Sequence, residues 1–226
     1  MVFIASFISL FAQKTEVRTV LNTGLFSFVG TGTTNTTSLN TLFTTEAYVE
    51  NTFGAKNGLC YGLSSDIRRV AKWRFIVGIN SGFEVLKSKS AINKVALENN
   101  RPFASGKSYT IRHFFNSNPY LGYRFKISKL DIDWLLGCDV AYSFLGQREK
   151  NYARTVDGEV ITSNFIREKK DKIIDIRLRT QIDLSINRVG VFIAYSRGKV
   201  DYTRDYTRQK KIFSSLIRFG LTYKML

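Results

Sequence analysis

The residues best suited to acid–base chemistry in this chain are carboxylates at short spacing. Asp131, Asp133 and Asp139 fall within LDIDWLLGCDVAYSFL, residues 130–145, and share one parity. Carboxylates two apart on a strand face the same way and could divide a general acid and a general base between them. The single histidine, His113, shares parity with Ser117, a base beside a nucleophile. Residues four apart on a strand are separated by about 13 Å, however, too far for direct proton transfer. Cys60 and Cys138 have no Cys or His partner at metal-ligand spacing. By parity Cys60 groups with Gly58 and Gly62, and Cys138 with Trp134 and Val140, so the thiols are expected on opposite faces and unbridged. No phosphate-cradling glycine loop, nucleophile elbow or HExxH motif occurs. No catalytic, cofactor-binding or metal-binding residue is expected, and no cofactor.

The element that carries the aspartates is itself informative. Over residues 130–145 every second residue is apolar, from Leu130 to Phe144, and the intervening set is acidic or small. That period of two is a strand whose faces meet different surroundings. The pattern recurs at Val17–Gly30, Gly54–Asp66, Trp73–Val85, Tyr109–Phe125, Lys172–Ile186, Val189–Ser196 and Phe213–Met225. Pro119 is expected to mark a bulge or edge, or to break its segment. Short connections (67–72, 126–129 and 187–188) alternate with long polar ones (31–51, 87–108, 146–171 and 198–211). Eight strands joined long, short, long, short, long, short, long predict an up-and-down meander with tight turns on one rim.

The polar parity holds Arg74, Glu84, Arg124, Asp131, Asp133, Asp139, Asp175, Arg177, Arg179, Asp183 and Arg218. Acids and bases nearly balance. An eight-stranded barrel is just wide enough inside for side chains, and buried charges require partners. These residues are therefore expected to form a structural charge network that fills a lumen. Trp73, Tyr123, Phe125, Trp134, Tyr142, Phe144, Tyr195 and Tyr223 lie towards strand ends on the apolar parity. Aromatic belts at both interfaces are the mark of a membrane barrel. The alternative is a soluble barrel with the faces exchanged.

A mean hydropathy of −0.12 is what such alternation produces. The chain of 226 residues carries a formal net charge of +16. Segments 87–112, 147–172 and 199–211 hold 18 Lys and Arg against 8 Asp and Glu, so the excess sits in long connections and not in an aromatic-lined groove. Nucleic acid is not an expected partner; basic loops suit a phosphate-rich surface. Residues 1–13, MVFIASFISLFAQ, are too short to span a bilayer as a helix and read as a signal peptide without its basic n-region, before a barrel domain over 14–226.

FNSNPYLGYRFKISKLDIDWLLGCDVAYSF, the KIIDIRLRTQIDLSINRVGVFIAYSRG pair and the closing SSLIRFGLTY resemble the outer-membrane β-barrel proteins of Bacteroidetes, as does the early FAQ. The resemblance implies an all-β fold: a closed eight-stranded antiparallel up-and-down transmembrane barrel with short periplasmic turns and long extracellular loops. It implies the bacterial outer membrane as location and contributes no site residues. The expected function is a non-enzymatic barrel with a structural or surface-binding role and no open pore. Its expected partners are outer-membrane lipid and lipopolysaccharide, with an unknown surface ligand or protein at the loops, and the barrel is expected as a monomer. Two alternatives stand beside it: an outer-membrane lipid-modifying enzyme, and a secreted lipocalin-like barrel binding a small apolar ligand.

Overall fold

The computed structural model describes residues 12–40, 48–49, 51–96, 103–145, 147–155, 160–167, 174–203 and 210–226. The signal-peptide expectation falls almost wholly outside them. Among the described residues twelve strands run in order: β1 (Ala12–Val29), β2 (Thr36–Asn40), β3 (Tyr48–Val49), β4 (Lys56–Ala71), β5 (Phe75–Ala96), β6 (Phe103–Ile127), β7 (Leu130–Ser143), β8 (Gln147–Thr155), β9 (Val160–Arg167), β10 (Ile174–Ile186), β11 (Val189–Gly198) and β12 (Phe213–Lys224).

Hydrogen-bonded neighbours lead from β5 through β4, β1, β12, β11, β10 and β7 to β6, and β6 pairs back to β5. The sheet thus closes on itself, and every pairing in that ring is antiparallel. Terminal strands β1 and β12 zip along Arg18↔Lys224 to Val29↔Phe213. Closure leaves the ring without an edge, the usual route by which a sheet avoids pairing with other chains.

One rim carries tight turns at 72–74, 128–129 and 187–188. Each contains a residue at positive φ, respectively Arg74 (68°), Ser128 (53°) and Asn187 (55°). The chain end lies on the same rim, where Met225 N–H donates to Val17 C=O at 2.8 Å. Long connections leave from the other rim, and they differ from the purely polar loops expected. β5 and β6 continue as one hairpin well past the ring, to Ile92↔Gly106. β8 takes over from β7 along β6, and β9 pairs with β8. β2 runs parallel to β5. Composition alone hides these strands, because each adds too few apolar residues to show a period, although Leu39, Val49, Ile92 and Ala153 form a small buried cluster there. The expected connection at 67–72 is likewise mostly strand, since β4 runs to Ala71. Pro119 pairs with Ile79 inside an unbroken β6. Its cost shows on the β7 side, where the register passes from Ser117↔Val140 to Tyr120↔Gly137 with no pairing at Asn118 or Pro119.

The outer face is the apolar one. Leu63, Phe83, Leu121, Leu136, Leu178, Ile193 and Leu221 are all exposed, whereas the alternate residues are buried inside. In β10 the alternation of exposed and buried residues runs without exception from Ile174 to Ile186. An aromatic and aliphatic cluster (Phe26, Phe28, Phe114, Tyr202, Ile212 and Leu216 among its members) fills the interior near the long-loop rim.

Candidate functional site

The interior is where this chain concentrates its ionisable groups. Strand pleat sends alternate side chains inward, and ring closure turns those rows towards one another. Two clusters result.

Nearer the tight turns lie Glu16 and Arg18 of β1, Asp66 and Arg68 of β4, Arg124 of β6, Asp133 of β7 and Asp183 of β10. Arg68 is the hub: its Nε donates to Asp66 at 2.7 Å, Nη1 to Asp133 at 2.9 Å and Nη2 to Asp183 at 2.9 Å. Arg124 grips Asp133 through Nε and Nη2 at 2.6 and 2.7 Å and reaches Glu16 at 3.0 Å. Glu16 also accepts from Arg18 at 2.5 Å and Lys224 at 2.9 Å. Asp131, at the edge of this cluster, is 3.4 Å from Arg124 and partly exposed. Tyr120 closes it from above, donating to Asp66 at 2.6 Å.

The second cluster lies towards the long loops and balances three cations against three anions. Glu84 of β5 accepts from Arg177 of β10 at 2.6 Å and from Arg218 of β12 at 2.7 Å. Asp139 of β7 accepts from Arg218 at 3.0 Å, Arg179 at 3.4 Å, Ser196 at 2.9 Å and Asn118 at 2.8 Å. Asp175 lies 3.0 Å from Arg177 and accepts from Tyr202 at 2.7 Å. Gln181 joins the clusters by bonding to both Arg179 and Asp183. Above them Arg112 sits over the rings of Phe28, Phe53 and Tyr202, 5.2–6.0 Å from their centroids, and bonds to Gln147.

Of the residues expected in a charge network, Glu84, Arg124, Asp133, Asp139, Asp175, Arg177, Arg179, Asp183 and Arg218 are buried and Asp131 is half-buried. Arg74 is a correction. It is exposed in the turn before β5, because its left-handed backbone ends the alternation that placed it inside. Glu16, Arg18, Asp66 and Arg68 were missed as network members. Continuing the two-residue parity one turn past each expected strand end would have found Glu16 and Arg68.

The carboxylates of the interior are held by arginines: Asp133 accepts from both Arg68 and Arg124. An internal void of about 10 Å³ lies between Asp66, Arg68, Asn118, Tyr120 and Gln181, among others, space for about one water. His113 and Ser117 face outward and are not brought together. Ser117 Oγ lies 3.1 Å from Ser81 Oγ, whereas the His113 ring is 6.5 Å from that of Phe144. Both cysteines are free. Among the described residues no group of His, Cys, Asp and Glu could hold a metal ion.

The aromatic set lies outside the ring. Trp73, Phe125, Trp134, Phe144, Tyr195 and Tyr223 are exposed, with Tyr123 and Tyr142 half-buried. Edge-to-face contacts gather near the tight turns (Phe75–Tyr123, 5.5 Å; Tyr123–Phe125, 4.9 Å) and towards the loops (Phe83–Phe115, 5.3 Å; Phe83–Phe144, 5.8 Å).

No protein-family model matches the chain, and no curated protein matches it. Among solved structures, it is similar to the crystal structure of Neisserial surface protein A (NspA). The identity is 9%, the match covers 94% of this chain and 100% of that chain, and the TM-score is 0.43. So distant a likeness transfers no residue's role.

Proposed function

We propose that this chain is an integral outer-membrane protein, an eight-stranded antiparallel transmembrane β-barrel with a structural or surface-binding role. Its tight turns face the periplasm and its extended hairpins face outward. The observation that carries this reading is the inversion of faces: arginines and carboxylates are buried and paired inside while leucine, isoleucine, valine and phenylalanine are exposed around the outside. In water that arrangement exposes apolar surface far beyond the few hundred Å² typical of a soluble monomer. In lipid both faces are satisfied. Strand lengths support it, since β10, β11 and β12 have 13, 10 and 12 residues and a tilted strand needs about 9–11 to cross. The strand patterns from Asn116 onward, which resemble Bacteroidetes barrels, support the same location.

The filled interior favours a barrel that conducts nothing and catalyses nothing, acting as an anchor for its extracellular hairpins. A lipocalin-like interior would be apolar, and the buried arginines here oppose it. The test is expression of the full chain in a diderm host followed by fractionation and gel comparison of boiled and unboiled samples. Outer-membrane partition with a heat-shifted band is expected, and a soluble periplasmic product would refute the proposal.

A further inference from the structure

Above the outer aromatic cluster the exterior of the β5–β6–β8 wall changes character abruptly. Cross-strand register places Lys87, Ile111 and Arg148 in one row, then Lys89, Tyr109 and Lys150, then Ala91, Lys107 and Tyr152. Lys56 of β4 is paired directly with Lys89. All six cations share the outward face, four of them exposed and Lys87 and Lys89 half-buried. Among the described residues this stretch of wall has no outward carboxylate, since Glu149, the acid of β8, is buried on the inner side. Like charges directly opposed across strands are destabilising, so the Lys56–Lys89 pair calls for a counter-anion. Neighbouring strands are about 4.8 Å apart and alternate residues about 7 Å, close enough for several side chains to share one phosphate group.

The patch is continuous with the apolar belt. Phe83, at the belt's upper edge, is four residues before Lys87 on the same face of β5, about 13 Å along the strand. Lys87 Nζ is 5.2 Å from the centroid of the Tyr61 ring, which is itself exposed.

Resting on the barrel reading, we propose that this wall is a binding site for a phosphorylated glycolipid of the surrounding leaflet. Its acyl chains would lie against Phe83, Phe115 and Phe144, and its phosphates would be held by Lys87, Lys89, Arg148 and Lys150, with Lys56 and Lys107 at the margin. A soluble phosphate polymer fits less well, because the cationic rows run directly into the exposed apolar belt at Phe83, Phe115 and Phe144, which a water-soluble chain would leave uncovered.

The test uses the full chain folded in uncharged micelles, titrated with hexa-acyl diphosphoryl lipid A, its dephosphorylated form, or inorganic pyrophosphate, and followed by intrinsic fluorescence. Diphosphoryl lipid A is expected to bind at least about tenfold more tightly than the dephosphorylated lipid. The K87Q/K89Q/R148Q/K150Q variant is expected to lose that preference while keeping its heat-shifted band. The control K199Q/K211Q, on the opposite wall, is expected to retain it. Equal binding by the quadruple variant with its heat shift intact overturns the lipid site and leaves the barrel standing. Pyrophosphate binding as tight as the lipid's overturns the lipid commitment. Loss of the heat shift in the unaltered chain overturns the barrel reading beneath.

Discussion

Arg68 and Asp183 are 115 residues apart in the chain, yet Nη2 of one donates to Oδ2 of the other at 2.9 Å across the interior. Their strands, β4 and β10, stand on opposite sides of the ring. Such a bond requires closure of the whole sheet, so the charge network and the fold specify one another. Bringing these ions out of water costs several kcal/mol each, and only near-complete pairing offsets it.

Arg218 offers the clearest test of that balance, because it bonds to both Glu84 and Asp139. Arg218→Met leaves the two carboxylates short of one cation. A loss of about 3–5 kcal/mol is expected in urea unfolding from phosphatidylcholine vesicles. Adding Glu84→Gln is expected to recover part of it, and a neutral single variant would show that the pairs contribute nothing.

On the outer face, Leu178 is 54% exposed near the middle of β10. In water Leu178→Arg would shift stability by no more than about 0.5 kcal/mol. In a bilayer it is expected to cost about 2–4 kcal/mol, depending on depth. Vesicle unfolding of the variant measures the difference.

Planar-bilayer recordings are expected to show negligible conductance, because paired charges bridge the interior from facing strands, Arg68 to Asp183 and Arg177 to Glu84. A stable, large channel would mean that the interior rearranges in lipid.

In the loop between β11 and β12, burial pushes the Asp201 carboxyl up. The backbone N–H groups of Ile212 and Thr203, each donating at 3.0 Å, outweigh that and hold it below its ordinary value. A depressed carboxyl stabilises the fold above its unfolded pKa of about 3.9, and the contribution is lost as pH falls through the folded value. Hydrogen exchange at the Ile212 amide, corrected for intrinsic rate, is expected to lose protection below about pH 4. Asp201→Ala is expected to lack that protection at every pH. A pH-independent wild-type amide would contradict the closure.

Much of this organisation was legible in the sequence because a period of two needs no tertiary knowledge: Ile174–Ile186 reads as one face in, one face out, and the structure has it so. Misreadings cluster where parity stops. Arg74 followed the alternation on paper, but a left-handed turn residue breaks it. Arg68 was assigned to a connection because basic residues crowd it, although β4 continues beneath. β2, β3, β8 and β9 left no pattern, since a strand that adds a single buried apolar residue, as Leu39, Val49 and Ala153 are, shows no period. The cationic rows were visible only as loop charge until the register aligned them.

The most direct test of the central claim uses the protein's own tryptophans. Trp134 is 49% exposed on the outer face of β7, and Trp73 lies at the tight-turn rim. With Trp73→Phe isolating Trp134, the full chain is folded into vesicles of chain-brominated phosphatidylcholine and its fluorescence compared with that in unbrominated lipid. Strong quenching by bromine, with little quenching by aqueous acrylamide, is the expected result and puts the apolar face in lipid. Quenching by acrylamide alone would put that face in water and contradict the membrane barrel.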